Sequence, residues 1–419
     1  MPEDRGDERV MRPGHRLFSQ WRFFVPLLLL VPVLILAGHA LVNAPASEFL
    51  MQQLNVQQAP AVRTLHLLNG KTASLSWIFG RDCSSGVQAY LRSAARDPDA
   101  ALIGPGWVDP TTGRLIEGEN NNCVPGSLSM DSVVRLIHSK GGMAYLTVTM
   151  DTDQSWTTQQ AAAYIDKATT DNAYIQTIVN TTVQGGYDGV IMDLEGVDLT
   201  YPNIQQKFAL FNQHVWAALR PLHKPYGIAL LHKLSDHDAY YTLNGFENWS
   251  LLGRSADFIV IMAVDQAYWT PGPTVSDPWL NQLLAYALRT MPQMLPRIIW
   301  ELPLYGDTWH QANGGWVFDG DVTFQTSQSI LGQLTPAQID AAATDEQDAY
   351  TPHVVYTDAS GVKHSLWYLS PQNLYNIVTG FWQTLQMEPQ FNNSRLQIAV
   401  WWRTTAEPQN FWPLLDKLY

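Results

Sequence analysis

Asp193 and Glu195 are the two residues of this chain whose type and spacing best suit acid–base chemistry. They close the segment Tyr187-Asp188-Gly189-Val190-Ile191-Met192-Asp193-Leu194-Glu195-Gly196, where an apolar, strand-forming run follows the turn-forming pair Gly185-Gly186. Side chains alternate across a strand, so Asp193 and Glu195 share one face while Val190, Met192 and Leu194 share the other. A carboxyl pair at the C-terminal end of a buried strand is what an acid-catalysed hydrolysis needs, one group to give a proton and one to hold charge. The bland alternative is a strand-end acid that caps the next helix, and the i, i+2 pairing makes it the weaker reading. Asp188 differs in parity, precedes the strand and reads as structural.

Positioning such a pair requires a framework, and the chain alternates β-like runs with helical segments, the signature of βα units and a parallel sheet. The strand candidates are residues 73–79, 101–107, 143–149, 189–194, 226–231, 258–263, 297–303 and 396–402. Helical patterns fall at 130–139, 159–184, 204–222 and 278–291, the second opening on the N-capping pair Thr157-Thr158 and the third carrying Phe208, Phe211 and Val215 at helical spacing. Eight strands with intervening helices predict a closed (β/α)8 TIM barrel, an α/β fold whose site sits at the C-terminal ends of the strands. The acid pair ends the fourth of them. Between strands seven and eight a small α+β insertion is expected at about 314–368, with a hairpin from Pro352 to Tyr368 around Gly361 and helical segments at 335–344 and 370–385. No internal repeat or low-complexity tract is visible.

Composition narrows the classes. The 419 residues are 46% hydrophobic and 15% charged, which fits a globular chain rather than a disordered one. A formal net charge of −13 disfavours nucleic acid as a partner, because phosphate binding relies on Lys and Arg patches. The 16 Trp and 17 Tyr offer flat rings suited to stacking on sugar faces, although most such rings in any protein are core. No GxSxG elbow, phosphate-cradling Gly loop or zinc motif occurs, so no cofactor and no metal are expected. The run His232-Lys233-Leu234-Ser235-Asp236-His237-Asp238 has metal-ligand residue types without a recognisable spacing, and a polar rim is its default reading.

Residues 23–42 form an almost unbroken apolar run behind a tail holding Arg12, Arg16 and Arg22. Its length spans a bilayer and the positive flank keeps residues 1–22 cytoplasmic, which places the chain beyond residue 42 outside. Ala44-Pro45-Ala46 resembles a signal-peptide cleavage site, but the long run and Pro45 favour an uncleaved anchor. Residues 43–70 read as a linker and 71–419 as the folded unit. Cys83 and Cys123, both in the exported part, could form one disulfide or stay unpaired.

Taken together the ordered motifs resemble glycoside hydrolase family 18, the chitinase-like barrels, and most closely the bacterial branch of spore and cell-wall peptidoglycan hydrolases. The family's strand-four pattern DxxDxDxE is met by Asp188, Asp193 and Glu195; its MxYD is echoed by Met262-Ala263-Val264-Asp265. Its GLPxYG is followed by Glu301-Leu302-Pro303-Leu304-Tyr305-Gly306, its insertion by the hairpin, and the Trp ending strand eight by Trp401, with Trp402 beside it. Two departures stand out: Ile191 replaces the middle Asp of the first motif, and Val264 replaces the Tyr of the second, which in the family contacts the acetamido group.

The resemblance implies substrate-assisted retention, in which the sugar's acetamido carbonyl attacks its own anomeric carbon. Glu195 would then be the acid and later the base, and Asp193 would orient the acetamido nitrogen. Asp265, Met262, Tyr305 and Trp401 are the implied substrate-binding positions, and Trp107 and Trp269, read as ending strands, are either sugar platforms or core. The expected partner is a polysaccharide containing N-acetylglucosamine, with membrane contact through residues 23–42, no nucleic acid, and a monomeric chain. Three functions compete: an exported glycosidase, a glycan-binding protein on the same barrel, and a passive wall-spacing module. Retention of both acids supports the first, Ile191 and Val264 the second.

Overall fold

The computed structural model describes residues 73–78, 83–93, 100–108, 112–117, 130–150, 156–238, 240–341, 351–391, 394, 396–401, 405–408 and 411–415. The apolar run 23–42, the linker 43–70, Cys123 and Trp402 lie outside them, as do the side chains of Cys83 and Trp107. Among the described residues no helix is long and apolar enough to cross a membrane.

The strands of the described residues are β1 (Ala73–Ile78), β2 (Ala100–Val108), β3 (Leu115–Glu117), β4 (Met143–Met150), β5 (Gly189–Leu194), β6 (Tyr226–Leu231), β7 (Phe258–Met262), β8 (Ile298–Pro303), β9 (Tyr305–Ala312), β10 (Gly315–Thr323), β11 (His353–Thr357), β12 (Lys363–Trp367) and β13 (Gln397–Trp401). The parallel pairings run β1, β2, β4, β5, β6, β7, β8, β13 and back to β1, so each of these strands has two parallel neighbours; β3 adds to β2 antiparallel. This mixed α/β arrangement is a TIM-type barrel of parallel strands. The eight strands expected from the sequence are those of the circuit, with ends within a residue or two.

Alternation along the strands separates two apolar clusters. Val190, Met192 and Leu194 of β5 turn outward to pack with helix residues such as Ile165, Phe208, Phe211 and Val215. Ile191 turns inward and meets Leu75, Trp77, Ala229, Val260, Ile299 and Ala399 in the barrel interior. Covering both faces explains why β6, β7 and β8 are buried along their whole length, as strands of parallel sheets must be. Each large apolar side chain so buried contributes roughly 1.5–3 kcal/mol.

Three expectations are corrected. The helix expected over 159–184 is two helices, Thr158–Thr170 and Asn172–Gln184, because Asp171 is extended and its side chain accepts from Ala173 N, capping the second helix. The segment expected to be helical at 335–344 carries turns and a single bridge from Ile339 to Tyr356 over its described part, and the helix lies earlier, at Phe324–Gln333. The expected hairpin, β11 with β12, belongs to a larger four-stranded antiparallel sheet, β10-β9-β12-β11, that begins at Tyr305 directly after β8.

Candidate active site

The fourth strand of the barrel circuit, β5, carries Asp193 near its C-terminal end, in phase with the interior residue Ile191. Glu195 comes just after the strand, its N–H donating to Met150 O of β4 at 3.2 Å. Both acids are half-buried at the open end of the barrel. The next residue, Gly196, has φ +67°, a left-handed turn that takes the chain away from the strand end. Asp188, by contrast, lies at the opposite end of β5. Its Oδ2 accepts from Ala144 N at 2.7 Å and lies 2.8 Å from His138 Nε2, which ties the start of β5 to β4 and the helix before it.

Asp265 lies three residues past β7, at φ +56°, a region Asp tolerates better than most residues. Its Oδ1 accepts from Tyr305 Oη at 2.5 Å and its carbonyl from Tyr240 Oη at 3.1 Å. Tyr305 opens β9 rather than ending strand seven, and it is buried in the barrel interior cluster, so its hydroxyl serves Asp265. Burial, then the charge of Asp265, hold that phenol protonated well above its usual range. A cavity at this edge is lined by Leu231, His232, Tyr240, Val264, Asp265 and Tyr268. Val264, where the family has Tyr, is thus an apolar wall of the cavity and packs with the barrel interior.

Met262 is buried in the interior, in register with Leu231 on one side and Glu301 on the other. Trp401, at the end of β13, packs edge-on against Trp77 with ring centroids 5.8 Å apart. Trp269 does not end a strand: it stands in a bend beyond Asp265, 47% exposed, edge-on to Tyr268. Of the expected residues, Asp193, Glu195, Met262, Asp265, Tyr305 and Trp401 therefore gather around the C-terminal ends of the barrel strands, and Trp269 sits outside that collar. Trp107 lies in β2, which pairs there with β4 at Thr149.

Two groups are absent from the expectations drawn from sequence. Glu301, inside β8, is 2% exposed and accepts a hydrogen bond from Trp77 Nε1. Burial, then the charges of Asp193 and Asp265, push it well above the usual carboxyl range, and Trp77 opposes this only in part. Its signal is present in the chain, because an acid inside an apolar strand is anomalous. The second group is Glu247 with Lys233. Lys233 Nζ donates to Glu247 O at 2.6 Å, and Glu247 Oε1 accepts from Leu231 N at 3.3 Å. Burial raises Glu247 and lowers Lys233, each partly offset by the other's charge.

The 232–238 run packs at the rim, with His232 also lining the cavity beside Asp265. His232 is wedged edge-on between Tyr240 and Trp279, and Asp238 accepts from the backbone N–H groups of Leu234 and Tyr240. Among the described residues, the acids whose oxygens come together are instead Asp265, Asp307 and Asp321, one oxygen of each within 4.8 Å of the others. Thr274 Oγ1 donates to Asp307 Oδ2 at 2.6 Å. Burial first raises both Asp307 and Asp321; the charge of Asp265 comes next for Asp307, and the charges of Asp307 and then Asp265 for Asp321.

A parallel barrel with acids at the end of its fourth strand and a small antiparallel sheet after its seventh is the class of fold this chain adopts. Solved structures of that class superpose on this chain. The chitinase of Chromobacterium violaceum does so with a TM-score of 0.66 at 19% identity, over 83% of this chain and 98% of the other. The Bacillus cereus spore cortex-lytic enzyme SleL gives 0.65 at 18% identity, over 83% and 74%. No family model matches the chain. Among curated proteins it is 23% identical over 242 residues to the cortical fragment-lytic enzyme of Bacillus anthracis, covering 56% of this chain. The match spans about half, 53%, of that relative's length.

Proposed function

We propose that this chain is a glycosidase that hydrolyses polymers containing β-linked N-acetylglucosamine, peptidoglycan or a chitin-like glycan, by substrate-assisted retention. The observation that carries the reading is the pair Asp193 and Glu195 at the C-terminal end of the fourth strand of a chitinase-type barrel, with Asp265 and Trp401 around the same opening. The curated relative's name, a lytic enzyme acting on cortical fragments, adds weight to peptidoglycan. The apolar run at 23–42 supports action outside the cytoplasm.

In this reading the Glu195 carboxyl gives its proton to the glycosidic oxygen as that bond to the anomeric carbon breaks. The acetamido carbonyl oxygen of the same sugar closes on the anomeric carbon from the other face, forming an oxazolinium ion. Asp193 accepts the acetamido N–H and offsets the positive charge. Glu195, now a carboxylate, takes a proton from water as the water oxygen attacks the anomeric carbon, and configuration is retained.

Full-length protein should release reducing ends from peptidoglycan or from chitin oligosaccharides. Glu195→Gln should lower the rate by at least about 100-fold with the circular dichroism spectrum unchanged, the scale expected for a lost general acid. A folded Gln variant with wild-type turnover removes Glu195 from this role. The second reading, a glycan-binding barrel, is favoured by Val264, which presents an apolar wall where the family's Tyr hydroxyl would meet substrate. Tight binding of the oligosaccharides by wild-type protein without any release would select it.

A further inference from the structure

Glu301 takes no part in the steps above, yet it is an acid sealed inside the barrel beneath the open end. Along β8 the residues Ile298, Trp300 and Leu302 pack outward against helices, and Ile299 packs inward, which fixes Glu301 on the inward side. Its register partners are Met262 on β7 and Ala399 on β13, both members of the interior cluster. The donor it meets is the indole N–H of Trp77 on β1, which is neutral. The charged groups that bear on it are Asp193 on β5 and Asp265 beyond β7, both acids. Asp193 also acts on Glu247, whose own charge is offset by Lys233; that lysine is not among the groups that bear on Glu301.

A carboxyl in such a place cannot share ionisation with its neighbours at low cost, because like charges in a poorly solvated interior repel strongly. The proton therefore rests on the deeper group, and the charge on the group nearer the opening. From the burial of Glu301, its indole donor on β1 and its place in the same barrel interior into which Asp193 faces in phase with Ile191, we propose that Glu301 is a positioning residue that acts through Asp193. It is held as a neutral carboxyl, so that the negative charge the site needs is concentrated on Asp193. With Ile191 apolar beneath Asp193, the buried interior carboxyl comes from β8 rather than from position 191 of β5. The role of Glu301 rests on the proposed reaction for its catalytic meaning but not for its physical content.

The test has two arms on the full-length protein. In pH-titrated difference infrared spectra, wild type should show a protonated-carboxyl band at neutral pH that Glu301→Gln lacks. Asp193→Asn, which removes a negative neighbour, should move the titration of that band to lower pH by about one unit, tenfold in proton affinity. In the kinetic arm, Glu301→Gln keeps an acceptor for Trp77 and mimics the neutral acid, so kcat below neutral pH should stay within about threefold of wild type, a change under 1 kcal/mol. The alkaline limb of its kcat profile should move to higher pH, since the ionisation that spoils the site is gone. A buried spacer would move neither the band nor the limb. An unchanged spectrum in Glu301→Gln, or a band indifferent to Asp193→Asn, overturns the proposal. A chain that releases no sugar but shows the Asp193-dependent band would sink the hydrolase reading and leave this one standing.

Discussion

Asp188, just before β5, and Asp193, near its C-terminal end, sit at opposite ends of one strand and differ in their surroundings. Asp188 satisfies the N–H of Ala144, a fully buried residue, and meets His138. Asp188→Ala leaves that donor without its partner and should cost about 1–3 kcal/mol, the penalty of an orphaned buried polar group. Urea unfolding should show the loss as a lower midpoint at unchanged slope, while turnover of the surviving folded protein stays near wild type. A collapse of activity at full stability would instead make Asp188 part of the site. Parity along the strand separates these two acids in the sequence alone. Glu301 is not separable in the same way, since its meaning depends on Trp77, which is 224 residues away in the chain.

Among elements, the junction of β8 with β9 decides how the second sheet is placed. Gly306 sits there because a Cβ would run into the carbonyl oxygen of Trp367 and the backbone of Tyr368. Backbone cannot swing aside as a side chain can, so Gly306→Ala should force β9 from β12 and cost about 1–3 kcal/mol, as overpacking does. Hydrogen exchange should report the change in β9 and β12 before it reaches β5 or β6; uniform destabilisation of the barrel would contradict it. The β9–β10 hairpin, absent from the expected elements, is nonetheless legible in the sequence. Asn313-Gly314 with both residues at positive φ is a favoured two-residue hairpin turn, and the flanking run Tyr305 to Val317 contains the alternation. The single long helix expected over 159–184 has a comparable flaw: the run Thr169-Thr170-Asp171-Asn172 is rich in residues that stop or cap helices.

At the scale of the whole molecule, several buried acids among the described residues have their proton affinity raised by burial. Glu247 and Glu301 lie above their ordinary value of 4.5, and Asp307 and Asp321 above 3.8, with burial the first cause in each. An acid whose folded pKa is raised binds more protons in the folded state than in the unfolded state once pH passes the ordinary value, so stability falls as pH rises. The stabilising protonation is complete below those ordinary values and is lost as pH climbs through the folded ones. His214, held neutral by burial below its ordinary 6.5, acts in the opposite sense, and so does Lys233; they are outnumbered by the acids. The thermal midpoint should therefore drop between about pH 5 and about pH 8, and Glu301→Gln together with Asp307→Asn should flatten the slope. A midpoint that climbs over that interval would show these carboxyls to be ionised in the fold.

What the sequence by itself determined is the barrel and the place of the acid pair, because both arise from local rules. Period-two alternation sets which residues share a face, and apolar runs interrupted by helices set the order of strands around the circuit. Only the tertiary structure decided that Glu301, Trp77 and Asp193 share one interior, that Tyr305 serves Asp265, and that Trp269 lies outside the collar. Those relations join strands that are neighbours or opposites only once the sheet has closed. The field each carboxyl feels is a sum over such neighbours, and the order of residues along the chain does not contain it.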